Sequence, residues 1–81
     1  MSDIEQKILG LFKTYMDIED PNVEQDLIEI GMDSLDVVEM VMHVEDEFMI
    51  CIRDDAIEDM KTIGDIVNYV KDEKNEQHTG I

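Results

Sequence analysis

A chain of 81 residues and 9.4 kDa can bury only about 60% of its unfolded surface, which leaves room for one core and excludes a second domain. Its 22 acidic residues against 6 basic ones give a net charge of −16, a sign that repels phosphate backbones and anionic bilayers and so excludes nucleic-acid binding and membrane insertion. The hydrophobic share, 43%, is that of a folding chain, and the lone Cys51 excludes an internal disulfide or a cysteine-built metal site.

The acidic start, Met1 to Glu5, has no apolar run behind it, so a chain that is neither exported nor membrane-spanning, in a reducing cytoplasm, is expected. Ser2 and Glu5 have capping-box spacing, and Ile4, Ile8, Leu11, Phe12, Tyr15 and Met16 recur at helical intervals, predicting a first helix over about residues 3–16. Residues 17–32 hold the only proline, Pro21, and end near Gly31; Val23, Leu27, Ile28 and Ile30 predict an ordered loop anchored by its aliphatics. A connection of this length in a small domain serves function or covers a core. Asp33 and Asp36 form a second capping pair that opens a helix over Ser34 to Phe48. Ile50 and Ile52 alternate with Cys51 and Arg53 over too short a stretch for a paired strand, and Asp54 to Asp59 reads as a short acidic helix. Thr62 and Asp65 cap a last helix over about residues 63–73, with Ile63, Ile66, Val67 and Val70 as its apolar set. The fold class is therefore all-α: a small four-helix bundle of three longer helices and one short one, in a single domain over residues 1–74 with a flexible tail at 75–81.

Stepping about 100° per residue around the second helix separates two apolar sectors. Val37, Met40, Val41, Val44 and Phe48 fill one and are the core candidates; Leu35, Val38 and Met42 fill a neighbouring one bordered by Asp36, Glu39 and Asp46. One core does not need both, so the second sector predicts a partner face, unless a small bundle buries the two together. Between residues 14 and 52 lie twelve acidic residues and no lysine or arginine. Such a one-signed field around an apolar stripe predicts docking onto basic partners by electrostatic steering, and a self-repelling monomer.

Ser34 places a hydroxyl at a loop-to-helix junction just after Gly31. The only histidines are His43, more than two turns along the same helix, and His78, in the tail, so a self-contained nucleophilic triad is absent. A phosphoester on Ser34 would sit by the first-turn N–H groups of the helix. Asp33 and Asp36 oppose it locally, which assigns them to an external enzyme or a divalent metal; a serine beside a cap is otherwise plain helix punctuation. Cys51 reads as a small buried hydrophobe and His43 as a solvated residue on the acid-bordered side of its helix.

The run GMDSLDVVEMVMHVEDEF, Gly31 to Phe48, closely resembles the modification site and second helix of acyl carrier proteins, where a D-S-L serine carries 4′-phosphopantetheine. The resemblance rests on D-S-L, the following acid, the V-E-x-V-M spacing and the terminal E-D-E-F, and extends more weakly over about 70 of the 81 positions. It implies that Ser34 is the attachment site, flanked by Asp33 and Leu35 as recognition residues. It further implies that Asp36, Glu39 and Asp46 meet basic patches on a phosphopantetheinyl transferase and on acyl synthase or transferase enzymes, with Leu35, Val38 and Met42 as apolar contacts. Met40, Val44, Phe48 and Ile57 would line the shelter for an acyl chain held as a thioester, and no catalysis is implied. Fatty-acid carriers usually follow the helix-two phenylalanine with two spaced acids and Ile-Pro; this chain has Phe48-Met49-Ile50-Cys51-Ile52-Arg53 instead. G-M-D-S-L resembles the fatty-acid or polyketide branch rather than peptidyl carriers. Two other functions compete: an acidic interaction module or nucleic-acid mimic, which gives Ser34 no role, and a calcium sensor, which lacks the D-x-[DN]-x-[DN]-G loop.

Overall fold

A computed structural model describes residues 3–79, the side chains of 75–79 excepted. Among the described residues the elements are α1 (Asp3–Met16), α2 (Ser34–Phe48), α3 (Asp54–Glu58) and α4 (Ile63–Thr79). Helix α1 packs against α2 and α4, and α3 chiefly against α2. The expected bundle of three longer helices and one short one is present.

Helix α1 occupies the predicted residues, with Ile8 and Phe12 fully buried; the Ser2 half of its expected capping box lies outside the described residues. Tyr15, counted with its apolar face, is instead exposed and stacks flat on His43 of α2, with ring centroids 3.7 Å apart and 11° between the planes. His43 is therefore a half-buried fastener between two helices, not the freely solvated side chain expected from its acidic neighbours.

The long loop earns its length by closing one end of the core. Leu27 and Met32 are buried in it, and its backbone is tied to the start of α4: Leu27 N–H donates to Lys61 O at 2.9 Å, Ile63 N–H to Gln25 O at 3.1 Å and Gly64 N–H to Val23 O at 2.9 Å. Asp26 and Thr62 form an isolated antiparallel bridge at the centre of this seam. The approach leaves no room at residue 64, where an added Cβ would stand 2.9 Å from Val23 O, so glycine is required by packing. Gly31, at φ 94°, turns the chain into α2. Ile28 departs from the expected set of anchors and is exposed.

The two-sector reading of α2 is resolved by burial. Met40, Val41, Val44 and Phe48 join Ile8, Phe12, Ile63, Ile66, Val67 and Val70 in one core, with Val37 partly buried against it. Helix α3 buries no side chain fully and leans on the core through Ala56 and Ile57. Helix α4 opens on the expected cap: Asp65 N–H donates to Thr62 Oγ1 at 3.1 Å, and Thr62 N–H returns to Asp65 Oδ2 at 3.0 Å. Lys61 N–H adds a 2.7 Å bond to the same oxygen. These donors, Lys61 first, hold the Asp65 carboxyl below the usual carboxylate range against the partial burial that opposes it. The helix continues to Thr79, six residues beyond the expected end. The apolar period stops near Val70, but lysine, glutamate and glutamine propagate a helix already nucleated, and no breaker occurs before Gly80.

Candidate functional site

Ser34 is the first residue of α2 and is exposed. Its position is fixed by a reciprocal cap: Asp36 N–H donates to Asp33 Oδ1 at 2.9 Å, and Asp33 N–H donates to Asp36 Oδ2 at 3.2 Å. Both carboxylates thus have a structural duty at the junction that holds the hydroxyl. The N–H groups of Ser34 and Leu35 have no partner within the helix by its geometry, and at the positive end of the helix dipole they suit an anionic phosphoester on the neighbouring hydroxyl.

Beside Ser34 a cavity of about 620 Å³ opens between the long loop, the first turn of α2 and α3. Leu27, Ile28, Val37, Val38, Ile57 and Met60 supply its apolar wall, and Asp26, Asp33, Asp54, Glu58 and Lys61 its rim. An exposed hydroxyl at the mouth of an apolar recess fits a long prosthetic arm with an apolar cargo. Of the residues expected to line an acyl shelter, Ile57 alone stands on this cavity; Met40, Val44 and Phe48 are packed into the core behind it. Ile28 had been read only as a loop anchor and Met60 not at all, because loop residues without periodicity give no sign of which helix they face.

The partner face expected from the helical wheel is present as exposed apolar surface. Leu35 is 67% exposed, Met42 59% and Val38 42%, values that place them outside the core. Glu39 and Asp46 are exposed alongside and Asp36 is half-buried by its cap. Among the described residues the ion pairs are Lys7 to Glu47, at 3.9 Å, and Arg53 to Asp55, at 3.1 Å; neither neutralises this face.

The divergent segment after Phe48 is a built structure. Met49 ends α2 in the left-handed region, φ 57°, with its N–H on Glu45 O. Ile52 N–H donates to Glu45 Oε2 at 2.7 Å, and Ile50 and Ile52 are buried. Cys51, expected to be buried, is exposed; the alternation that buries its two isoleucine neighbours turns it outward. Tyr69 of α4 closes the far side: its hydroxyl is raised above the usual phenol value chiefly by burial, then by its bond to Glu73.

Residues 6–70 match the protein family described as the phosphopantetheine attachment site. An acyl carrier protein of Porphyromonas gingivalis is 37% identical over 78 residues, covering 93% of this chain and 97% of its own. One from Exiguobacterium sibiricum is 51% identical over 43 residues, covering 53% of this chain and 54% of its own. Among solved structures, the crystal structure of an acyl carrier protein from Thermotoga maritima superposes with a TM-score of 0.79 at 30% identity, covering 88% of this chain and 86% of that one.

Proposed function

The chain belongs to the acyl carrier protein family, and on that premise we propose that Ser34 is the residue that carries 4′-phosphopantetheine, in a freestanding carrier serving fatty-acid or related acyl-chain synthesis. The protein is a carrier and not an enzyme, and its family membership brings with it an acyl chain, a phosphopantetheinyl transferase and acyl synthase enzymes as its general partners. When attached, the group supplies a terminal thiol that holds acyl groups as thioesters.

The observation that carries the assignment to Ser34 is its place: an exposed hydroxyl, inside the matched span, on a capped helix start at the mouth of an apolar cavity. In this reading Asp33 and Leu35 flank the site. Asp36, Glu39 and Asp46 steer basic enzyme surfaces, while Leu35, Val38 and Met42 supply contact area once they arrive. Ile57 is the member of the expected shelter that meets the cargo first, and Met40, Val44 and Phe48 form the core layer into which a longer chain would press. No helix among the described residues is long and apolar enough to cross a membrane, and an exposed thiol at Cys51 favours the cytoplasm as the protein's compartment. The alternative of an acidic mimic gives neither the cavity nor the hydroxyl beside it a task.

The test is intact-protein mass spectrometry before and after incubation with coenzyme A, Mg²⁺ and a broad-specificity phosphopantetheinyl transferase. Wild type should gain one phosphopantetheine mass and Ser34→Ala none, while circular dichroism shows the same fold for both. Equal loading of Ser34→Ala would move the attachment elsewhere.

A further inference from the structure

The lining of the cavity beside Ser34 is graded by burial. Leu27 and Met60 are 1% and 8% exposed, and Ile57 is half-buried. Ile28 and Val38 line the same space but are 70% and 42% exposed, and Lys61 is exposed on its rim. An alkyl cargo gains from the buried residues, which exclude water, and little from those that water already reaches. The outer three residues are therefore not explained by the cargo, and the core does not need them either: Leu27, and not Ile28, anchors the loop.

Their chemistry is mixed. Val38 follows Ser34 at the i, i+4 spacing that puts both on one face of α2, and Ile28 reaches the same cavity from the long loop. Lys61 is the only cation among the lining residues. Its backbone is pinned on both sides, since its N–H donates to Asp65 Oδ2 at 2.7 Å and its carbonyl accepts Leu27 N–H at 2.9 Å. Its ammonium acts on the Asp65 carboxyl as the least of that group's influences, and it enters no ion pair among the described residues, which pair Lys7 with Glu47 and Arg53 with Asp55. The other charged groups on the rim, Asp26, Asp33, Asp54 and Glu58, are ionised acceptors that cannot donate.

We infer that Ile28, Val38 and Lys61 form a seat for the prosthetic arm itself, distinct from the shelter of its cargo, with Lys61 as the positioning residue that donates to the arm's amide carbonyls. The inference rests on attachment of the arm at Ser34. Phosphopantetheine carries geminal methyl groups next to its phosphate end and two amides beyond them, so it presents an apolar segment followed by paired donors and acceptors. Ile28 and Val38 match the methyl groups. The rim carboxylates accept from the amide N–H groups, and Lys61 answers the carbonyls, which no carboxylate can do. An alkyl cargo has no use for either kind of polar group, which is why the rim selects the arm. A seated arm has less freedom left to lose when its cargo enters the recess.

The experiment loads the unlabelled full chain with ¹⁵N,¹³C-labelled phosphopantetheine from labelled coenzyme A, with and without an octanoyl group, and reads the arm by NMR; peptide mass after proteolysis locates the attachment. Both arm amides should show order parameters above about 0.6, the level below which a backbone counts as flexible, and isotope-filtered NOEs should join the geminal methyls to Ile28 and Val38. Lys61→Met keeps the stem without the donor and should bring the amides below that level, whereas Lys61→Arg, which keeps a donor, should hold them above it. Ile28→Ser should lose the methyl contacts, and circular dichroism verifies the fold of each variant. Amides already flexible in the wild type, order unchanged by Lys61→Met, or contacts confined to Leu27, Ile57 and Met60 would each overturn the seat while leaving attachment at Ser34 standing. Attachment at another residue would overturn both.

Discussion

The cap at the start of α2 separates two duties of Asp33 that a single substitution would confound. Asp36 N–H donates to Asp33 Oδ1 at 2.9 Å, and the return bond runs from Asp33 N–H to Asp36 Oδ2 at 3.2 Å. Asp33→Ala abolishes the first and leaves the second, a loss of about 1 kcal/mol by analogy with other N-caps. In a domain of this size that lowers the melting temperature by about 4–8 °C. Asp33→Asn keeps an acceptor of similar capping strength; the charge–dipole attraction it forfeits, about 0.3–1 kcal/mol, is set against relief of repulsion from Asp36 and from the net charge of −16. The asparagine variant should therefore melt within about 2 °C of wild type. Calorimetry of the two variants, paired with loading rates read by mass, assigns the roles: a stable Asp33→Asn that loads slowly shows recognition of the charge by the transferase. Equal destabilisation by asparagine and alanine, or none by alanine, would refute the capping account.

Leu27 is 1% exposed and anchors the long loop, so Leu27→Ala should cost about 2–5 kcal/mol in urea unfolding; a loss typical of a surface site would mean that the backbone seam to α4 holds the loop alone. The lowered Asp65 carboxyl stabilises the fold in its ionised form, because the folded value lies below the unfolded one. Its contribution is complete above the ordinary carboxylate range and fades as pH falls through the folded value. The stability gap between wild type and Asp65→Asn should accordingly be flat near neutrality and close in acid, and a gap that widens there contradicts the sign. Glu39 is exposed, so Glu39→Lys should leave the melt nearly unchanged while weakening binding to basic synthase enzymes and flattening its salt dependence, measured by calorimetric titration at several ionic strengths.

The bounds of α1 and α2 were legible from their apolar period, and in α2 from the Asp33–Asp36 pair that opens it; the left-handed Met49 that ends α2 carries no signal in the sequence. The burial of Met40 and Val44 and the exposure of Leu35 and Met42 follow from the wheel, since a helix with two apolar sectors can turn only one inward. What periodicity cannot carry is contact between segments distant in sequence. Ile28 looks like Leu27 in a list of loop aliphatics, yet of these two cavity residues one is buried in the core and the other is exposed. The stack of Tyr15 on His43 is equally silent in either helix alone. Cys51 was misread through the general habit of cysteine to be buried, although its own neighbours, alternating Ile50 and Ile52, already pointed it outward. The end of α4 was set by where burial stops, whereas a helix stops where its backbone is interrupted.

The two walls of the cavity differ in how firmly they are held. On one side the loop is sewn to α4 through Leu27, Ile63 and Gly64; on the other, α3 has five residues, none of them fully buried, and rests mainly on α2. Local opening is easiest where little apolar surface and few backbone bonds resist it. The recess thus has one stiff and one yielding side: in the proposed reading a longer cargo would meet its least resistance at α3, before it pressed on the core layer of Met40, Val44 and Phe48.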